Sequence, residues 1–178
     1  YNNKKTFNIS DEYIIAIFYF IREYCYSSMF RFNKSGGFNV PYGGMNYNRK
    51  DFSKKLEYIK SLVLINFMSK VTIENMDFER FMNKYNFQKT DLIFLDPPYD
   101  SEFSSYDNNE FAKKDQIRLR DLLLETKANF MLVIKNTDYI AELYKNKKFK
   151  IKGFNKKYTV SFMNRNDRNV KHLIITNY

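Results

Sequence analysis

The stretch DLIFLDPPYD, Asp91 to Asp100, runs four apolar residues, Leu92-Ile93-Phe94-Leu95, into a carboxylate, two prolines and a tyrosine. Four apolar residues with β-formers among them, stopped by Pro97 and Pro98, predict a strand buried on both faces, as in the middle of a parallel sheet. Asp96 then stands at the strand's carboxyl end, the edge at which open α/β sheets bind ligands. Two prolines fix φ and remove two backbone donors, so Asp96-Pro97-Pro98-Tyr99 is stiff before anything binds.

The flanking rhythm is that of βα units. Upstream, Lys70-Val71-Thr72-Ile73 predicts a strand and residues 77–85 a helix. Downstream, a polar loop over 100–109 leads to a helix over 113–126, a strand over 129–135 and a short helix over 137–144. Two extended runs, 148–154 and 170–177, are separated by the polar NRNDRN and fit an antiparallel pair at a sheet edge. Strands alternating with helices of this length predict an α/β fold with a largely parallel sheet covered on both sides.

The N-terminal third reads differently. Ser10 followed by Asp11 and Glu12 is an N-cap with an acidic first turn, and YIIAIFYFIREYCY is apolar almost all round, so a buried helix is expected over 11–26. In MFRFNKSGGFNVPYGG, residues 29–44, alternating Phe and polar residues flank Lys34-Ser35-Gly36-Gly37, a glycine-turn hairpin pattern. Phe52, Leu56, Ile59, Leu62 and Leu64 recur at helical spacing and predict one helix from about 48 to 66. Two parts are therefore expected, 1–69 and 70–178.

Composition narrows the function classes. The 178 residues carry 30 Lys and Arg against 20 Asp and Glu, a net charge of +10 that a phosphate backbone would attract. An AT-rich genome also enriches Lys, Asn, Tyr, Phe and Ile, so charge alone decides nothing. The single cysteine, Cys25, excludes an intramolecular disulfide framework and a Cys-based zinc site, and suits a reduced, cytoplasmic setting. His172, the only histidine, alternates with apolar residues in a strand pattern and reads as structural, which leaves neither a metal site nor Cys–His catalysis with support. No apolar run approaches the roughly 18 residues of a membrane span, and the polar opening YNNKKTFNISDE is not a signal peptide.

Asp-Pro-Pro-Tyr suits one particular chemistry. An amino group on a flat aromatic ring, such as the exocyclic amine of adenine, delocalises its lone pair and is a poor nucleophile. A carboxylate and a backbone carbonyl that accept both amino hydrogens would pull the nitrogen toward tetrahedral geometry and offset its developing positive charge, an effect of about 3 kcal/mol per group. Asp96 supplies the carboxylate, and Pro97, held by Pro98, the carbonyl. Tyr99 offers a stacking face worth about 1–3 kcal/mol per base. A base inside a duplex cannot reach such a pocket and would have to be flipped out. The plain alternative is a strand-ending turn without chemistry.

Three motifs, in order, carry a resemblance. The strand-closing DPPY resembles the catalytic motif of amino-group DNA methyltransferases; FRFNKSGGFNVPYGG resembles the target-recognition hairpin of the Dam and DpnII-like adenine methyltransferases, including enzymes acting at GATC; and KYTVSFMNRNDRNVKHLIITNY is similar to that family's final hairpin. The resemblance implies a Rossmann-like S-adenosylmethionine-dependent sheet, incomplete at its N-terminus, with a small helical and hairpin target-recognition domain. It implies that Asp96 and Pro97 accept from the target amine, that Tyr99 stacks on the flipped ring, and that Asp96 lies near the cofactor's methionine end. Arg31, Asn33, Lys34, Asn39 and Tyr42 would contact bases and phosphates; Arg suits guanine and Asn suits adenine in the major groove. Asn75 and Asp77, just past the strand expected to end at Ile73, sit on the ligand edge of the sheet and could touch the adenosyl half of a cofactor, although an N-cap role explains Asp77 equally well. Lys156, Lys157, Arg165 and Arg168 frame the last hairpin as phosphate contacts or as a solvated face.

The chain also departs from that family. Its five glycines, Gly36, Gly37, Gly43, Gly44 and Gly153, include none in the Phe-x-Gly-x-Gly loop that binds the cofactor, and the chain lacks an initial Met and the family's first strand. The expectation is the C-terminal portion of a longer adenine N6-methyltransferase acting on double-stranded DNA, bacterial or phage-encoded, as in restriction-modification, with S-adenosylmethionine as cofactor and no metal. A monomer suffices for one adenine at a time. A non-catalytic DNA-binding remnant, or an RNA or cytosine amino-methyltransferase, stays open as an alternative.

Overall fold

The computed structural model describes residues 9–98, 111–157 and 169–178, and the chain divides into two compact units, Tyr1–Ile73 and Glu74–Tyr178.

In the first unit, α1 (Asp11–Tyr24) begins where the Ser10 hydroxyl accepts from the Tyr13 N–H, as the N-cap pattern predicts. It ends two residues earlier than expected because Cys25 turns extended and bridges to Tyr42, while the Tyr26 N–H bonds the Pro41 carbonyl and the Gly43 N–H that of Tyr24. The helix is not the buried one its apolar run predicts: it has no buried residue, and Ile15 is 65% exposed. The helix expected over 48–66 is two. A 3₁₀ turn over Met45–Arg49 precedes α2 (Ser53–Lys60), and α3 (Leu62–Met68) follows a break at Ser61. There the backbone is extended and the Ser61 hydroxyl accepts from the Leu64 N–H, a local cap that outcompetes helix continuation. The segment Lys70–Ile73 forms no strand: Val71 and Ile73 are exposed and no ladder partner lies beside them among the described residues, so β-propensity has nothing to pair with.

The second unit contains α4 (Phe78–Lys84), β1 (Leu92–Leu95), α5 (Lys113–Glu125), β2 (Asn129–Lys135), α6 (Asp138–Leu143), β3 (Lys150–Lys157) and β4 (Asn169–Thr176). The four strands form one sheet in the order β1-β2-β4-β3. β1 and β2 are parallel with α5 as the crossover, whereas β4 runs antiparallel to both β2 and β3. The sheet is therefore mixed rather than largely parallel. The last two runs do pair antiparallel, but only β3 is at the edge, because β4 enters between β2 and β3.

The core lies on one face. Ile93, Phe130, Leu132, Ile134, Leu173 and Ile175 share it in register, and Met82 of α4, Leu119 and Leu123 of α5 and Ile140 of α6 pack against them. Full burial of each such side chain contributes roughly 1.5–3 kcal/mol. β1 is not buried on both faces: Ile93 points into this cluster, but Leu92 and Phe94 are 62% and 63% exposed. Its apolar continuity made the two faces look alike, and helices among the described residues cover only one.

Candidate active site and recognition loop

Asp96 follows β1 directly and stands at the carboxyl edge of the sheet, exposed, with Pro97 half-buried and Pro98 exposed after it. It lies within electrostatic reach of His172, which β4 places opposite Lys135, the last residue of β2. The imidazole is fully buried, packs on Phe154 at 5.5 Å and has Nδ1 3.4 Å from the Val170 carbonyl. Burial pushes its pKa down, the Val170 carbonyl and Asp96 push it up, Lys156 and Lys135 push it down, and the net shift is downward. Tyr99, Arg165 and Arg168 fall outside the described residues, whereas Lys156 and Lys157 are exposed at the end of β3.

Chain direction brings a second group to the same edge. α4 leads into the start of β1, so its N-terminus points back to the sheet's carboxyl side, as does that of α5. Asp77 caps α4: its Oδ1 accepts from the Glu79 N–H at 3.0 Å and the Arg80 N–H at 3.4 Å. The same oxygen accepts from Arg118 Nη2 at 2.9 Å. Desolvation raises the Asp77 pKa, but the two N–H groups and the guanidinium outweigh it and hold the carboxyl below its usual range. The N-cap alternative for Asp77 is thus realised, yet the side chain stays 48% exposed and its carboxylate can still meet a further donor. Asn75 is exposed two residues before it.

Arg118 is the residue that sequence reasoning missed. Besides Asp77, its guanidinium donates to Glu79 Oε2 from Nε at 2.8 Å and Nη2 at 2.5 Å, and to Asp115 Oδ1 from Nη1 at 2.8 Å. It also lies 4.8 Å from the centre of the Phe78 ring, which in turn meets Phe111 at 5.4 Å. Asp115 itself accepts from the Ala112 N–H and so caps α5. The i,i+3 spacing of Asp115 and Arg118 was a visible signal for one of these partners; Asp77 and Glu79, 41 and 39 residues away, left none in the sequence.

Within the first unit, the expected hairpin is a tight turn closed by a single bridge, Phe32 to Phe38, rather than a strand ladder. Asn33 builds it. Its Oδ1 accepts from the Ser35 N–H (3.1 Å), the Ser35 hydroxyl (2.8 Å) and the Gly37 N–H (2.8 Å), while its own N–H bonds the Gly37 carbonyl. Gly36 takes φ +77°, which a side chain would resist. Phe30 packs under the turn against Phe18, Phe32 and Phe38 at 4.5, 5.4 and 4.8 Å. Arg31 reaches across to the Asn39 carbonyl at 3.0 Å, and the Tyr42 hydroxyl donates to Asn48 Oδ1. Arg31, Asn33, Lys34, Asn39 and Tyr42 are all exposed around this one loop. The Asn33 oxygen is committed to the turn, which leaves its amide NH₂ as the donor it can still offer.

Among the described residues, no group of three or more His, Cys, Asp or Glu side chains is placed to hold a metal, and no helix is long and apolar enough to cross a membrane.

Type II methyltransferase M.CviBI of Paramecium bursaria Chlorella virus NC1A is 34% identical over 169 residues, 93% of this chain and 61% of that protein. Retron Ec67 DNA adenine methylase of Escherichia coli is 31% identical over 82% of this chain and 51% of its own length. Type II methyltransferase M.MjaIII of Methanocaldococcus jannaschii is 31% identical over 83% of this chain and 49% of its own. The chain thus spans about half to three fifths of the length of the curated relatives it matches. The sequence model of the D12 class N6 adenine-specific DNA methyltransferases matches residues 1–160, about nine tenths of the chain, and the chain belongs to that family.

Proposed function

We propose that this chain carries the target-recognition and amine-activating portions of a site-specific enzyme that methylates the N6 amino group of adenine in duplex DNA. The observation that supports it most is Asp96-Pro97-Pro98 emerging from β1 at the carboxyl edge of a mixed α/β sheet, in a chain of that family. The sheet is the C-terminal part of a Rossmann-like methyltransferase fold, and residues 1–69 are the recognition domain.

In this reading Asp96 and the Pro97 carbonyl accept the two amino hydrogens of a flipped adenine. Together they draw the nitrogen lone pair out of the ring and offset the charge that develops on it. Pro98 fixes the carbonyl's direction, and Tyr99 stacks on the base. Arg31, Asn33, Lys34, Asn39 and Tyr42 read bases and phosphates from the rigid turn, with Lys156, Arg165 and Arg168 adding phosphate contacts. Extruding one nucleotide costs a few kcal/mol, which such contacts and base stacking offset.

S-adenosylmethionine, when bound, supplies the activated methyl group. The donor set at the carboxyl edge fits it: the exposed Asp96 carboxylate suits the ammonium of its methionine end, and Asn75 with the half-exposed Asp77 suits the hydroxyls and amine of its adenosyl half. The family's Phe-x-Gly-x-Gly loop has no counterpart in this sequence, so these three residues form part of the seat.

The test is Asp96→Ala in the full-length enzyme. Methyl transfer to an adenine-containing duplex should fall by at least about 10³-fold, while duplex affinity changes less than about twofold because Asp96 acts on the amine rather than on the backbone. Retained turnover would remove Asp96 from the chemistry.

A further inference from the structure

Three carboxylates, Asp77, Glu79 and Asp115, converge on one guanidinium, and two of them, Asp77 and Asp115, are the caps of α4 and α5. α4 has only seven residues, too few to hold a direction by its own hydrogen bonds, so its orientation is set by what ties it to the rest of the unit. Met82 in the core is one such tie; the polar one, at the N-terminal end, is Arg118, packed against Phe78 in the first turn of α4. The segment that enters α4 carries Asn75 and Asp77; the chain that enters α5 comes from Asp96-Pro97-Pro98.

We propose that Arg118 is a positioning residue for the cofactor: it holds the Asn75–Asp77 segment at a fixed spacing from the N-terminus of α5, and so presents the Asp77 carboxylate to the adenosyl half of S-adenosylmethionine. The proposal rests on the reading of Asn75 and Asp77 as cofactor contacts. Two features make a merely decorative surface ion pair a poor description. Arg118 donates four hydrogen bonds to three carboxylates on two helices, a fork that an ammonium cannot reproduce. Without the guanidinium, three negative charges remain in one place, and their repulsion would drive Asp77 and Glu79 of α4 away from Asp115 of α5.

The experiment compares Arg118→Lys, Arg118→Met and Asp77→Asn in the full-length enzyme, with cofactor dissociation measured by calorimetry beside KM, kcat, duplex affinity and thermal midpoint. Asp77→Asn keeps the helix cap while removing the charge. Expected for Arg118→Lys is a rise of about tenfold in both the Kd and the KM for S-adenosylmethionine, with kcat within about threefold and duplex affinity unchanged, the pattern of lost ground-state binding. Arg118→Met should exceed it, and Arg118→Lys keeps the test decisive should that variant fail to fold. A lowered thermal midpoint with unchanged cofactor Kd in Arg118→Lys overturns the proposal and leaves a structural tie. If Asp77→Asn weakens cofactor binding but Arg118→Lys does not, the positioning role alone fails. If Asp77→Asn leaves the Kd unchanged, the cofactor role of Asp77 fails first.

Discussion

The two units are built on different physics. In Glu74–Tyr178, thirteen apolar side chains form one buried cluster, and Phe130, Leu132, Ile134, Ile140 and Ile175 have no exposed surface. Among the described residues of Tyr1–Ile73, Cys25 is the single buried hydrophobic residue, while Ile15, Leu62 and Val63 stand well exposed. Hydrophobic burial holds the first of these; aromatic edges around Phe30, the Asn33 turn and the backbone bonds from Tyr24 and Tyr26 to residues 41–43 hold the other. On the proposed reading the difference matters for function, because a unit without a deep core can present a stiff loop and still let the rest of its surface meet a partner, whereas an amine-activating carboxylate needs a rigid strand beneath it.

Substitutions in the two units should separate by size. Leu132→Ala removes a fully buried side chain at the centre of β2 and should cost about 2–5 kcal/mol in chemical denaturation. Ile15→Ala, at a residue 65% exposed, should change stability by less than about 0.5 kcal/mol. Comparable losses at both positions would mean that α1 is buried in the working protein and would erase the contrast.

The second effect is local. Asn33→Ala deletes the acceptor of three hydrogen bonds that close the turn. On the proposed reading, duplex affinity should fall by about 1–2 kcal/mol, measured by fluorescence anisotropy. The thermal midpoint should barely move, because no core depends on the turn. Unchanged DNA affinity would place recognition elsewhere than in this loop.

Much of this was legible in advance. The spans of α5 and β2 match the expected 113–126 and 129–135 almost to the residue, and Ser10 acts as the N-cap its type and position predict. The failures share a cause: each depends on a neighbour that is remote in sequence, or on a local competitor that periodicity does not register. At Ser61 a hydroxyl interrupts a helical pattern whose apolar spacing continues unbroken. Lys70–Ile73 has the composition of a strand and no ladder partner beside it among the described residues. Leu92 and Phe94 are as apolar as Ile93, and only the placement of α4, α5 and α6 distinguishes the faces. For the candidate site, Asp96 was readable because strand, carboxylate and prolines are contiguous. Arg118 was not, because two of its three partners lie across the fold.

The smallest effect concerns His172 and separates the two units by pH. Its ring is buried in β4 between Lys135 of β2 and Phe154 of β3, with Lys156 and Asp96 also acting on it. Burial lowers its pKa below the ordinary value of 6.5, so the unfolded chain binds a proton that the folded one refuses. Stability from this residue is therefore complete above about pH 6.5 and declines as pH falls from there to the lower folded pKa, below which it levels off. His172→Gln should flatten that slope when urea midpoints at pH 5.5 and 7.5 are compared, while the first unit, which contains no histidine, should show no matching change. An unaltered slope in the variant would assign the pH dependence to carboxylates instead.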